Sequence, residues 1–349
     1  MNYQLMIISG AGSLAMQPVV VEEVILNNQL SGRPGELHFT CVKTKGLNFS
    51  EGDEVHFSVE GKKIFHGFVF EKRRDKFRDK MNPLDTRRRG ERLEVDSHHI
   101  KVIAYDQLRY FKNKDTYVYE GKTASQLIQM LSNDFLLRTG YLANTKYVIP
   151  RRREEDKTLF DIVKYALDVT LIQEKKLYVL YDDVGFLTLK NVEDMKLDIV
   201  IDDDTAGDFD YKTTIDDNTY NTVKLVRSAG KQADTGKDVV IEQDIINQKQ
   251  WGVLQYYQNI DNDEINLHDR AKQLLSLMNR KTRKLKIRKA IGDIRVRAGC
   301  SVMVSLNLGD IVVNNMFLVS RCNHIFGNGY HWMDLDLIGV GIVDGGEFV

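Results

Sequence analysis

Val55, Phe57 and Val59 alternate with polar residues, and Phe65, Gly67 and Val69 fall on one face of the next stretch, after the short polar break Glu60-Gly61-Lys62. Alternation with a period of two predicts half-buried strands, and the break predicts a tight hairpin joining them. The same reading extends over the first hundred residues, with strands predicted at residues 6–8, 19–26, 36–42, 54–59, 63–70 and 97–104. Short strands at this spacing predict a barrel or a sandwich. Residues 72–92, KRRDKFRDKMNPLDTRRRGER, carry both charges without an apolar period and are predicted as a long mobile loop.

The period changes after Asp115. Thr123 and Gln126 form a capping box ahead of Leu127, Ile128, Leu131 and Phe135, which follow at helical spacing. A second helix is predicted over residues 157–174, with Leu159, Ile162, Val163, Ala166, Leu167 and Thr170 on one face. The hairpin LYVLY-DDVG-FLTLK comes next. Strands return at residues 219–227 and 237–243, a helix is predicted over 262–279, and the remainder alternates as LKIRKAIG, DIRVRAG, SVMVSL, DIVVNN, MFLVSRCNHIF and WMDLDLIG. The expected fold class is mainly β with α+β. A β-domain over residues 1–114 and another over 206–349 flank an α+β domain over 115–205.

The two ends share an order of features. Gly52-Asp53-Glu54-Val55 and Gly309-Asp310-Ile311-Val312 each open a strand, a polar turn follows, and an apolar strand ends in basic or polar residues. A further strand then begins at histidine, HHIKVIAYD in one case and HWMDLDLIG in the other. This order predicts a duplicated β-domain in which the Gly52 and Gly309 hairpins are equivalent. The alternative is two unrelated β-domains that use the same common hairpin.

Candidate chemistry is sparse. Gly10-Ala11-Gly12-Ser13-Leu14-Ala15 matches the G-x-G-x-x-A turn of dinucleotide sites, which needs a helix directly after it. Pro18 and the β-branched run after it predict a strand instead, so the segment reads as a loop between strands. His98 and His99 point to opposite strand faces, no H-E-x-x-H pattern occurs, and Cys41, Cys300 and Cys322 lack finger spacing. Cys322 and His324 could share a strand face, but two ligands do not fill a tetrahedral site. Phosphate-loop and nucleophile-elbow motifs are absent too. No catalytic, cofactor or metal residue is expected, although the many carboxylates leave open a glycoside-cleaving pair.

Composition adds little pull in any direction. The 349 residues carry 49 basic and 50 acidic side chains, a net charge of -1. Neither sequence-specific nucleic-acid binding nor a membrane span is expected. Three cysteines without a pairing pattern suit synthesis in a reducing cytoplasm. Locally the charges segregate. Lys286 and Arg288 alternate with Leu285 and Ile287 in a basic stretch, and the stretch IDDDTAGDFDYKTTIDD is acidic. Opposite patches on one chain suit head-to-tail self-association, against the simpler reading of solvated faces. The candidate interface residues are Gly52, Asp53, Lys286, Arg288, Gly309 and Asp310.

The segments YVIPRRREEDKTLFDIVKYALDVTLI, KKLYVLYDDVGFLTLKNVEDMKLDIVID, NTYNTVKLVR, QWGVLQYY and GDIRVRAGCSVMVSLNLGDIVVN resemble the baseplate hub proteins of contractile tails. The likeness is to the hubs of PBSX-type prophages and phage-tail-like bacteriocins, within the late control D-like family. It implies two tube-like β-barrel domains flanking the α+β domain, in a homotrimeric ring of pseudo-sixfold symmetry. Such a ring joins the tail tube to the central spike, with tape-measure and other baseplate proteins as neighbours. The setting implied is a virion or tail-like particle assembled in the bacterial cytoplasm, with no catalytic residues. The alternatives are a carboxylate-dependent cell-wall hydrolase and, more remotely, a dinucleotide oxidoreductase.

Overall fold

A computed structural model describes residues 2–9, 14–30, 32–77, 97–227, 238–260, 266–309, 311–339, 342–343 and 347–348. The N-terminal strands are Tyr3–Ser9, Leu14–Met16, Val24–Gln29, Glu36–Val42, Glu54–Val59, Lys62–Phe77 and Ser97–Tyr105. Glu54–Val59, Lys62–Phe77 and Ser97–Tyr105 pair in sequence as an antiparallel meander. Glu36–Val42 then pairs with Ser97–Tyr105, Val24–Gln29 with Glu36–Val42, and Tyr3–Ser9 with Glu54–Val59. The alternating residues Val55, Phe57, Val59, Phe65 and Val69 all turn into one core, with Leu37, Phe39, Val102 and Ala104. Glu60 and Gly61 both have positive φ, 48° and 77°, as a two-residue hairpin turn of the primed type requires.

Two expectations are corrected here. The strand predicted from residue 19 begins at Val24, and before it only Val20 bridges, to Cys41. The charged stretch predicted as loop from residue 72 continues as strand to Phe77, paired with Ser97–Tyr105. Main-chain pairing needs no apolar period, and Ile100 and Val102 opposite supply the burial. Residues 78–92 of that stretch lie outside the described residues, as do Gly10 to Ser13. The segments flanking those glycines pair as antiparallel neighbours, Ile7 with Met16 and Ser9 with Leu14. A strand therefore follows the glycines, where a dinucleotide site requires a helix.

A second set of strands repeats the order of the first. Ser301–Asn307, Val312–Phe326 and His331–Gly339 form a meander, Thr282–Ile291 pairs with His331–Gly339, and Asp208–Thr214 pairs with Thr282–Ile291. Lys196–Asp202 takes the place of Tyr3–Ser9, but runs parallel to its neighbour where Tyr3–Ser9 is antiparallel. The details coincide as well. The Gly52 N–H donates to the Val69 carbonyl at 2.8 Å, and the Val69 N–H to the Asp53 carbonyl at 2.9 Å. Gly299, Val319 and Cys300 make the same two bonds at 2.8 and 2.9 Å. Gly52 and Gly299 have φ of 92° and 94°. Each meander breaks register just after its valine, between Val69 and Glu71 and between Val319 and Arg321.

The equivalent of Gly52 is therefore Gly299 and not Gly309. Gly309 lies between Ser301–Asn307 and Val312–Phe326, the place Gly61 holds in the first half, and Asp310 lies outside the described residues. The hairpin expected between DIVVNN and MFLVSRCNHIF is a single strand, Val312–Phe326. DIRVRAG, expected as a strand, is a run of turns. There the Asp293 carboxylate accepts the Arg295 N–H at 2.8 Å, and the Val296 and Cys300 amides bond back to Asp293 and Arg297.

Between the halves lies the α+β unit. Its first helix, Ala124–Asp134, carries the predicted capping box, with the Gln126 N–H donating to Thr123 Oγ1 and the Thr123 N–H to Gln126 Oε1. Its second, Leu159–Glu174, is capped by Thr158. Leu127, Ile128, Leu131, Leu159, Ile162 and Ala166 share a core with the hairpin Tyr178–Asp182/Leu187–Asn191. A further small unit was expected as part of the second β-domain and is separate from it. Thr222–Arg227, Asp238–Gln243 and Gln255–Asn259 form their own sheet, and helix Leu267–Met278 covers it. Val223, Leu225, Val240, Leu267, Ala271 and Leu274 are its core. That helix starts later than the expected residue 262, at the cap supplied by Asn266, and residues 261–265 lie outside the described residues.

Candidate interaction surface

The two repeats meet edge to edge. Val24–Gln29 pairs antiparallel with residues 321–326 of Val312–Phe326, from Arg321 opposite Gln29 to Phe326 opposite Val24. The long strand thus serves two neighbours on one edge, Ser301–Asn307 along its first part and Val24–Gln29 along its second. This pairing makes the two repeats one 13-stranded sheet. The Phe326 ring enters the first core, 5.0 Å from Phe57 edge to face.

The predicted charged residues sit on the outer face of this sheet. Lys286 and Arg288 lie on Thr282–Ile291 and face Asp210 and Asp208 on the neighbouring strand. On the other side Lys286 faces Asp336, which in turn faces Arg321. Asp210, Lys286, Asp336 and Arg321 therefore form a row of alternating sign across four strands. Arg321 Nη2 is 2.9 Å from Asp336, and Arg288 Nη2 reaches it at 3.3 Å. Lys284 bonds Asp217 at 2.7 Å and holds that carboxyl below the usual range. The basic and acidic stretches, expected as opposed patches for head-to-tail contact, run as adjacent strands of one chain, joined by the Lys284–Asp217 pair. The edge of Asp208–Thr214 away from Lys286 ends the sheet.

Polar groups collect where the first repeat meets the α+β unit. Asp106 is buried and accepts the Gly35 and Leu108 amides at 2.8 and 3.0 Å. Asp182 accepts the Gly185 amide at 2.6 Å, and its Oδ2 has no hydrogen-bond partner. Burial pushes both carboxyls up. The Arg297 guanidinium lies 3.6 Å over the Tyr181 ring and donates to the Asp182 carbonyl. On the adjoining sheet face, His56 and His66 are cross-strand partners, and Glu54 Oε2 lies 3.3 Å from Nε2 of each. Burial pushes the Glu54 carboxyl up, but bonds and charge from His66 and His56 outweigh it and hold it low.

Cys322 and His324 do share a face, at 3.3 Å. His324 Nε2 also bonds the Val296 carbonyl at 2.8 Å, and Nδ1 faces His331 Nε2 at 2.9 Å. Burial, followed by the His331 charge, pushes His324 down to about 3, and burial pushes His331 to about 4. The pair is a neutral core network with its nitrogens in use. Burial raises the Cys322 thiol as well, so it is not a poised nucleophile.

The YQBQ-like family profile matches residues 24–82 and 91–338, most of the chain. The chain belongs to the YQBQ-like family. Two Bacillus subtilis relatives match along nearly their whole length. The uncharacterized protein YqbQ is 29% identical over 92% of this chain and 92% of its own. The phage-like element PBSX protein XkdQ is 28% identical over 92% of this chain and 93% of its own. The fold matches the 43 kDa tail protein of prophage MuSo2 from Shewanella oneidensis at a TM-score of 0.67 and 10% identity, covering 96% of this chain and 98% of that one. It also matches the Escherichia coli c3393 protein, a type VI secretion component, at a TM-score of 0.58 and 10% identity, over 98% and 77% of the chains. The mainly β fold with an α+β insertion is thus a tail-protein fold.

Proposed function

We propose that this chain is a structural baseplate hub of a contractile tail, in which three copies close a ring that joins the tail tube to the central spike. One observation carries the reading, the edge pairing of Val24–Gln29 with residues 321–326. Through the meanders, the repeat equivalent of Val24–Gln29 is residues 209–214, and that of 321–326 is 71–76. Residues 209–214 lie on the end strand of the sheet. Residues 71–76 pair with Ser97–Tyr105 on one edge, and among the described residues no strand adjoins the other. The same joint, made between copies, sets residues 209–214 of one chain on 71–76 of the next, with Thr214 opposite Glu71.

Such a head-to-tail contact closes when its rotation closes. Three chains with two repeats each give six near-equivalent positions, which suits a sixfold tube above and a threefold spike below. In this register Lys212 falls opposite Arg73 and Asp210 opposite Asp75, so main-chain pairing and not charge would hold the contact. It also covers two sheet edges that no strand adjoins among the described residues. The kinship with a PBSX element protein and the fold shared with prophage and type VI secretion proteins support the setting. In this reading the partners are further copies of the chain, the spike, the tube and tape-measure proteins and other baseplate proteins. The location is the virion or tail-like particle, assembled in the bacterial cytoplasm, and the chain is not an enzyme. The working domains are residues 1–114, 115–205 and 206–349, with Lys196–Asp202 joining the last. Imaging purified particles that carry a labelled copy of this chain tests the reading. Label at the tube–spike junction in three copies is expected, and label elsewhere on the particle would overturn it.

A further inference from the structure

We propose that Glu54, His56 and His66 bind one divalent transition-metal ion of the zinc class. The inference is independent of the hub reading. Glu54 and His56 are two residues apart on one strand and so share a face, and His66 stands directly opposite His56 across the hairpin. That face lies opposite Val55 and Phe57, which fill the core. The two Nε2 atoms converge on a single oxygen, Glu54 Oε2, each at 3.3 Å. Charge-assisted N–H···O bonds are shorter, about 2.7–2.9 Å. Ligand bonds of about 2.0–2.1 Å at tetrahedral angles set neighbouring donor atoms about 3.3–3.4 Å apart. Both distances to Glu54 match that spacing, and the three donor atoms all lie within 4.8 Å of one another. The two imidazole rings are 4.8 Å apart at 60°, edge to face, so neither blocks the other's nitrogen.

The site is also braced from behind. A Cβ at Gly185 would lie 2.5 Å from His66 Nδ1, so only glycine lets the 182–187 turn press against this ring. The turn carries Asp182, whose Oδ2 is buried without a partner and which lies within electrostatic reach of His66. A cavity of about 270 Å3 opens beside His66 and Gly185, lined also by Phe68, Gln107, Tyr110 and Arg138. The fold does not need these side chains. In the second repeat, Ser301, Met303 and Met316 stand where Glu54, His56 and His66 stand in the first. Two imidazoles and one carboxylate suit zinc and its neighbours over magnesium or calcium.

The test is equilibrium dialysis of the chelator-stripped full chain against Zn2+, with metal counted by mass spectrometry and Co2+ as a coloured probe. One ion per chain is expected, with a visible Co2+ spectrum of low-symmetry, four-coordinate type. His56→Gln and Glu54→Gln should each weaken binding at least about 100-fold, beyond what loss of an outer support alone costs. His98→Gln, on the next strand but one, should bind as the parent does. Glu54→Gln keeps the side-chain shape, so it decides the matter if His56→Gln or His66→Gln fails to fold. No stoichiometric ion on the parent chain, or parent-like binding by Glu54→Gln, would overturn the site.

Discussion

Val69 and Val319 occupy the same place in two copies of one hairpin. Each exchanges two main-chain hydrogen bonds with a glycine and the residue after it, and each precedes a break in strand register. The duplication thus resides in backbone geometry more than in side chains. Val69 faces Gly52-Asp53 and Val319 faces Gly299-Cys300, and only the glycine is common to both.

The glycines should therefore be the sensitive positions. Gly52→Ala is expected to cost about 1–2 kcal/mol, the usual cost of holding a side chain at left-handed φ. Gly299→Ala should cost more, because its Cβ would also lie 3.0 Å from Val179. Urea unfolding of both variants checks the order. Equal, negligible losses would remove the strain argument.

Acid should weaken the fold through His324 and His331. Both are held neutral, at about 3 and about 4, whereas an unfolded chain takes up their protons near pH 6.5. Their contribution is complete above about pH 6.5 and is lost as pH falls through about 4 and then about 3. Between these limits each group lowers stability by at most about 1.4 kcal/mol per pH unit. Denaturant titrations at pH 7, 6 and 5 should show the slope, and His331→Gln should flatten it.

The charge row has a stability role. Asp336→Asn removes the shared partner of Arg288 and Arg321 and should cost about 1 kcal/mol, less at high salt. Reversing Lys286 and Arg288 together should destabilise the isolated chain, since each would then face Asp208, Asp210 or Asp336. Thermal melts of the free chain measure this. An unchanged melting temperature with lost assembly would return these residues to the role of contact surface.

Much of this fold is legible in the sequence, for definable reasons. Residues 54–59 alternate cleanly because one face of the strand is buried, and the bounds of 36–42 and 54–59 are as predicted. Thr123 and Gln126 announce a helix start because the capping bonds are local. Strand 71–77 is not legible, because main-chain pairing at a distance holds it and its side chains carry no apolar period. Gly52 and Gly309 share only a local four-residue pattern, whereas the equivalence of Gly52 and Gly299 lies in hydrogen bonds to Val69 and Val319. The Glu54, His56 and His66 cluster could have been found. The predicted turn at Glu60-Gly61 already sets His56 near His66, and Glu54 two residues away adds the third ligand.

The joint between copies is the central claim, and a cysteine pair measures it most directly. Cross-strand Cα atoms lie about 4.5–5.5 Å apart, within disulfide reach, and the three native cysteines are buried. Glu71→Cys with Thr214→Cys, oxidised in assembled particles, should give a covalent trimer in denaturing gels, while either single variant stays monomeric. If the double variant assembles normally yet yields only monomer, residues 209–214 and 71–76 do not meet, and the ring built from the repeated joint is wrong.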